Sequence, residues 1–242
     1  MGYYPIFVEM QGRPVLLVGG GHVALEKIGK LVTAGARVTV VAPALIPEVR
    51  EFIDHGEAKW HQRSYVSGDV EGFEVVMIAT DDGAVNTTVA NEARAHGIWV
   101  NAADDVNNCD FILPSLVTRG TIAIAASTGG TSPALARWLR EQLEDFVSDE
   151  VVALGDLLGE VRRMVRVRDR ECASVCDRTL PPPPLLCKMC PNHIAPDAWQ
   201  DAIDDDLRAL LRAGKYEAAR DQLVHALGID RPLIASGTPA AE

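Results

Sequence analysis

What this chain lacks narrows its class before any motif is read. No uninterrupted apolar stretch approaches the roughly twenty residues of a membrane span, although 48% of the 242 residues are hydrophobic. The amino terminus, MGYYPIFVEMQGR, has no basic region followed by a long apolar segment, so no secretory leader is expected. Together these absences predict a cytoplasmic protein with no membrane partner. Positive charge is also short, with 23 Lys and Arg against 34 Asp and Glu for a net charge of −11. A phosphate backbone needs the opposite balance, which excludes nonspecific nucleic-acid binding. No internal repeat is visible. The length and apolar content suffice for one large domain and a smaller appendage.

Between Val15 and Val41 the chain reads VLLVGGGHVALEKIGKLVTAGARVTVV. An apolar strand leads into a glycine turn, an amphipathic helix and a second apolar strand, the opening βαβ unit of a dinucleotide-binding fold. Gly19, Gly21 and Ala24 match G-x-G-x-x-A. The first glycine permits the tight turn, the second lets backbone N–H groups approach a pyrophosphate, and the alanine lets helix and sheet pack closely. The helix N-terminus adds partial positive charge. Val23, Leu31, Val32 and Ala34 are expected to form the apolar side of that helix before the Gly35 stop. One element is missing. Many such folds place an acidic residue about twenty positions beyond the glycines to hold the ribose hydroxyls, but here the second strand ends Val40-Val41-Ala42-Pro43. The motif leaves NAD and NADP both open.

Alternation continues downstream. A short helix is predicted from Pro47 to the Gly56 stop, with strands over 58–62, 74–79 and 98–101 and a helix over 84–96. This rhythm implies a Rossmann-like, doubly wound parallel sheet, an α/β fold that binds ligands at the carboxyl edges of its strands. The candidate nucleotide contacts are Gly19, Gly20, Gly21, His22, Val23, Ala24, Pro43, Thr80, Asp81 and Asn101.

The pattern then changes. Segments 111–118 and 121–126 read as an antiparallel hairpin, and Ser132-Pro133 as the start of a helix to Phe146 carrying Leu135, Trp138, Leu139 and Leu143. Such a small α+β module has edges and an apolar face to cover, which suits a dimerisation element. A helix over 150–167, an irregular Cys- and Pro-rich insert over 170–196 and a helical pair over 198–213 and 215–227 complete the C-terminal region. The expected division is 1–113 for the nucleotide domain, 114–147 for the dimerisation module, 148–228 for a helical domain and 229–242 for a tail. Arg162, Arg163, Arg166, Arg168 and Arg170 crowd one segment. They read either as a solvated face balanced by nearby acids or as a docking surface for a polyanionic small molecule.

Several short motifs in one order carry a resemblance. Tyr4-Pro5-Ile6-Phe7, the VGGGHVALEK turn, Ala79-Thr80-Asp81-Asp82 with Asn86, Asn101-Ala102-Ala103-Asp104, Phe111-Ile112-Leu113-Pro114-Ser115 and STGGTSPALARWLRE occupy most of residues 1 to 146. In this set the chain resembles the precorrin-2 dehydrogenase and sirohydrochlorin ferrochelatase family, the first module of siroheme synthases. The resemblance implies oxidation of precorrin-2 to sirohydrochlorin by hydride transfer to NAD, with insertion of Fe(II) into the macrocycle in some members. It also implies an intertwined homodimer acting on a tetrapyrrole. The chain ends at Glu242, so a separate methyltransferase is expected upstream.

The family's functional aspartate falls on Asp104. A carboxylate there would take the proton released as hydride leaves and later assist pyrrole N–H deprotonation; its other reading is a cap on the following turn. Asp105 departs from some members, which leaves the choice of carboxylate open. Ser127, Thr128 and Gly129, in a glycine-rich loop ahead of a helix, are candidates for a substrate carboxylate. Arg119, Arg137 and Arg140 are candidate carboxylate clamps, each equally readable as a salt-bridge partner. A nonenzymatic NAD-responsive regulator or tetrapyrrole carrier would keep the glycine turn without needing Asp104.

The family does not account for one motif. Cys172-x3-Cys176, ten residues, then Cys187-x2-Cys190 uses four of the five cysteines. Two close pairs can each chelate one edge of a tetrahedral metal, so a structural zinc is a candidate, with iron–sulfur ligation second and incidental thiols the plain alternative.

Overall fold

The computed structural model describes residues 2–103, 105–174 and 192–233, and the chain divides into two compact units with the boundary after Leu113. Asp104, Cys176, Cys187 and Cys190 lie outside the described residues.

The first unit runs β1 Pro14–Val18, α1 His22–Thr33, β2 Arg37–Ala42, α2 Pro47–Asp54, β3 Ala58–Gln62, β4 Val75–Ile78, α3 Gly83–Ala95 and β5 Trp99–Ala102. All five strands are parallel, in the order β3-β2-β1-β4-β5. This is the predicted doubly wound α/β sheet. The central strands β1 and β4 are apolar along their length because both faces are covered, whereas the edge strand β3 exposes Lys59, His61 and Gln62. Val15 and Leu17 of β1 face a core that takes in Ala24, Ile28 and Leu31 of α1, while Leu16 and Val18 face a second core with Val89, Ala90 and Ala93 of α3. The buried stripe of α1 is therefore Ala24, Ile28 and Leu31, at i, i+4 and i+7. Of the residues expected on its apolar side, Leu31 alone is fully buried; Val23 and Val32 are half-buried and Ala34 is exposed as the C-cap.

The second unit opens with the hairpin β6 Ser115–Arg119 and β7 Ile122–Ala126, paired antiparallel. The first strand starts four residues later than the apolar run predicts. Phe111 packs instead on the core of the first unit. Helix α4, Pro133–Phe146, has the predicted bounds, but it buries no residue: Leu135, Trp138 and Phe146 are 46%, 53% and 67% exposed.

Helix α5 spans Asp149–Ser174, seven residues beyond the predicted end. No glycine or proline interrupts 168–174, and the buried positions Leu157, Val161, Val165 and Cys172 continue one stripe. Residues 170–174 of the segment expected to be irregular are thus helical, Cys172 among them. The single helix expected over 198–213 is two, α6 Pro196–Asp201 and α7 Asp205–Arg212. The break lies at Asp204, whose carboxylate accepts the Leu207 N–H at 2.7 Å as an N-cap. Helix α8, Tyr216–Ala226, closes a core in which Leu157 and Val161 meet Leu207, Leu211, Ala219 and Leu223.

Candidate functional site: a nucleotide crevice at the carboxyl edge of the sheet

Strand order reverses at β1. The chain leaves it toward β2 and β3, then returns to place β4 on its other side, so the carboxyl ends of β1 and β4 form the switch point where open α/β sheets take their ligands. Gly19 leaves β1 at φ 117°, a conformation that favours glycine, and a Cβ there would collide with the carbonyl of Ala79 at the end of β4. Gly20 is equally confined, against Ala44 and Leu45 after β2. Gly21 differs: a Cβ built on it meets nothing within 4 Å. It is the N-cap of α1 and supplies no side chain, and the first turn holds no acidic residue. The N–H groups of His22, Val23 and Ala24 at the start of α1 precede the first helical bond, Leu25 N–H to Gly21 O at 3.0 Å, so the helix presents donors and positive potential to open space. Two tight glycines and one open one fit a bound pyrophosphate.

The opposite wall is organised by α3. Asp82 caps that helix, accepting the N–H groups of Ala84 and Val85 at 2.9 and 3.1 Å. Thr80 donates its hydroxyl to Asn86 at 2.5 Å, and the Asn86 amide returns a bond to Thr80 O at 3.0 Å. Asp81 stays exposed between them. After β2 the edge is formed by Pro43 and Ala44, both exposed, and no carboxylate occupies the ribose position.

Strand β5 pairs with β4, and the N–H of Ala103 donates to Ile78 O at 3.0 Å, which keeps Ala103 at the same carboxyl edge. Asn101 is a nucleotide candidate that the fold commits elsewhere: it is buried, and its amide donates to Phe111 O at 2.9 Å. Asp105 is held by the Asn108 amide at 2.7 Å, ahead of the 3-10 turn Val106–Asn108.

In the second unit the candidate substrate residues are bonded within the unit. Ser127 Oγ accepts the Gly129 N–H at 3.1 Å, the Thr128 hydroxyl donates to Ser132 O at 3.1 Å, and Ser132 Oγ caps α4 through the Leu135 N–H at 3.2 Å. Arg119 ties the α4–α5 corner, donating to Val147 O and to Asp149, each at 2.6 Å. Arg137 and Arg140 pair along α4 with Glu141 and Glu144. In the basic cluster Arg168 donates to Gly228 O at 2.9 Å beyond the end of α8, whereas Arg162, Arg163 and Arg166 are exposed.

Cys172 is buried, and the Asn192 amide donates to its sulfur at 3.3 Å. That bond brings the two ends of the Cys-rich segment together. Among the described residues no group of three or more His, Cys, Asp or Glu is placed to hold a metal.

Sheet order, open glycine and uncapped helix define a dinucleotide-binding protein of the Rossmann type. Residues 6–115 match the family described as "Putative NAD(P)-binding", and residues 119–145 the family described as "Sirohaem biosynthesis protein central". Together the two matches span more than half of the chain, and the chain belongs to the siroheme-biosynthesis family that joins these modules. It is 38% identical over 225 residues to a siroheme synthase of Methylococcus capsulatus, covering 92% of this chain and 45% of the relative. A siroheme synthase of Pseudoalteromonas atlantica is 34% identical over 230 residues, covering 95% and 46%. The chain thus spans about half the length of these curated relatives. Among solved structures, the one titled "SirC, precorrin-2 dehydrogenase" superposes with a TM-score of 0.67 at 24% identity, covering 92% of this chain and all of that one. The fold is shared.

Proposed function

We propose that this chain oxidises precorrin-2 to sirohydrochlorin with NAD as hydride acceptor. The observation that carries the reading is the open, uncapped start of α1 at the β1/β4 switch point, with Ala103, after β5, bonded to Ile78 O at the same edge of the sheet. It is supported by the siroheme synthases to which the chain is similar and by the name of the solved neighbour.

In this reading a C–H bond of the macrocycle breaks, its electron pair leaves with the hydride, and one proton is released. NAD, when bound, accepts the hydride, giving NADH. The Asp104 carboxylate takes the proton. The start of α1 holds the pyrophosphate through its backbone amides, and the ordered Thr80–Asn86 pair shapes the wall beside it. The substrate, a tetrapyrrole that a methyltransferase would supply, carries many carboxylates. The loop from Ser127 to Gly129 is the proposed place for one of them, with Arg119 and Arg137 meeting them only on exchange from Asp149 and Glu141.

A homodimer is proposed to cover the exposed apolar side of α4, and Fe(II) insertion is proposed as a second step on the product. The cysteine spacing is proposed to hold a structural zinc. Purified protein would then carry one equivalent, lost in Cys187→Ser and Cys190→Ser variants; freshly purified protein without metal ends that idea.

The test of the activity is an absorbance assay with precorrin-2 and NAD, with Fe(II) added afterwards. Formation of NADH is expected from the wild type, with loss of about a hundredfold or more in kcat for Asp104→Ala while NAD binding persists. Unchanged turnover in Asp104→Ala would overturn the catalytic assignment. NADH without later metallation would limit the chain to dehydrogenation.

A further inference from the structure

Strand β5 is an open edge of the sheet, and side chains take up the backbone groups on its outer side. The N–H groups of Trp99 and Ala103 point inward, donating to Glu74 O at 3.3 Å and Ile78 O at 3.0 Å. Those of Val100 and Ala102 therefore point outward, where an edge strand offers donors and acceptors without a neighbouring strand. Asp110 serves Val100 on both counts: its carboxylate accepts the Val100 N–H at 3.0 Å, and its own N–H donates to Val100 O at 2.8 Å. Cys109 does the same for Ala102. Its sulfur accepts the Ala102 N–H at 3.2 Å, and the thiol reaches Ala102 O at 3.1 Å and Asp105 O at 3.3 Å. Arg94 of α3 holds this arrangement from outside, donating to Asp110 at 2.9 Å and to Asn107 O at 3.2 Å.

Two consecutive side chains thus imitate a sixth strand, and the imitation has a consequence for chemistry. The residues bound by the Cys109 sulfur lie on both sides of position 104: Ala102 two residues before it and Asp105 one residue after. Ala103 is fixed separately by Ile78. Accepting and donating at once requires the protonated thiol. Burial pushes the Cys109 thiol up from its ordinary value, with the Ala102 N–H opposing in part, so the proton is retained at neutral pH.

We propose that Cys109 is a positioning residue for the Asp104 carboxylate, its thiol clamping the backbone on both sides of that residue at the carboxyl edge of the sheet. This rests on the reading of Asp104 as the proton-handling group. Asp110 and Arg94 secure the same loop one residue further on. Serine keeps both hydrogen-bonding roles with a shorter reach, whereas alanine keeps neither and leaves the Ala102 N–H without its acceptor.

The test is a set of variants in the full chain, assayed for NADH formation from precorrin-2 and for NAD affinity. Cys109→Ala is expected to lower kcat about tenfold with NAD affinity and KM little changed, because a small misplacement of a reacting group is felt in the chemical step. Cys109→Ser is expected to recover most of that loss. In an Asp104→Ala background the Cys109→Ala change is expected to cost nothing further, since a group that acts through another has no effect once the other is gone. A general loss of folding would lower both backgrounds alike.

Wild-type kcat in folded Cys109→Ala, or an equal loss with and without Asp104, overturns the positioning role and leaves the reading of Asp104 intact. Full turnover in Asp104→Ala overturns both. If Cys109→Ala fails to fold, Cys109→Ser decides alone: a two- to threefold loss of kcat that vanishes in the Asp104→Ala background sustains the proposal, and a loss that persists there overturns it.

Discussion

The loop before α1 and the loop before α4 both bring glycines to the start of a helix, and both helices face the same difficulty of first-turn N–H groups without acceptors. They solve it differently. Before α4 the chain closes on itself: Ser132 caps the helix, Thr128 donates to Ser132 O, and Ser127 accepts from Gly129. Before α1 nothing in the loop's own side chains does this, and the space beside Gly21 is open. One helix start is finished by its own sequence, and the other is left open. Burial is reversed between them as well. Helix α1 hides Ala24, Ile28 and Leu31 against the sheet, whereas α4 hides nothing and shows Leu135, Trp138 and Phe146. A helix made to bind a small anion must be rigidly seated; a helix with a free apolar side is suited to another protein surface.

The comparison can be broken most strongly at the glycines, which divide fold from binding. Gly19→Ala forces a Cβ into the Ala79 carbonyl at a strained φ, so a loss of about 2–5 kcal/mol in unfolding free energy is expected by denaturant titration. Gly21→Ala meets no protein atom and should leave stability within about 1 kcal/mol, yet weaken NAD at least tenfold by calorimetry, because the added methyl occupies the approach to the pyrophosphate. Equal effects from the two variants would dissolve the distinction.

A smaller but still plain effect is expected from Trp138→Asp. A charge on the exposed side of α4 should shift the proposed dimer to monomer in sedimentation equilibrium, with little change in helix content, since Trp138 is 53% exposed within its own unit. An unchanged mass would show that α4 is not the contact. The smallest is Ser132→Ala. Loss of the cap bond to Leu135 should cost about 1 kcal/mol in thermal or chemical unfolding and leave NAD affinity alone. Loss of NAD affinity there would mean that the two loops are not independent.

Much of this was readable before any coordinates. The positions of β1, β2 and β4 followed from apolar runs too continuous for a half-exposed sheet, and the start of α4 from Ser132-Pro133, a local signal that holds wherever the helix is seated. The role of Asn101 was not readable, and for Arg119 the salt-bridge reading was open but its partner was not legible. Asn101 has the composition of a ligand contact, yet it spends its amide on Phe111 O, ten residues on, and Arg119 binds the corner thirty residues away at Asp149. Cys109 left no trace as a positioning group, because the need it meets, an outward-facing amide on an edge strand, exists only once strand order is known. The break at Asp204 was legible in principle from its three consecutive acids, a helix-start signal that the apolar periodicity around it concealed.

By itself the sequence determined the type and order of the elements, the doubly wound sheet and the glycine turn at the start of its first helix, all of which depend on local spacing and on which residues can be buried. Tertiary structure alone decided which polar groups remained to act. Each candidate had first to satisfy whatever donors and acceptors the packed chain placed beside it, and the partners found lay up to sixty residues away, beyond the reach of any local pattern.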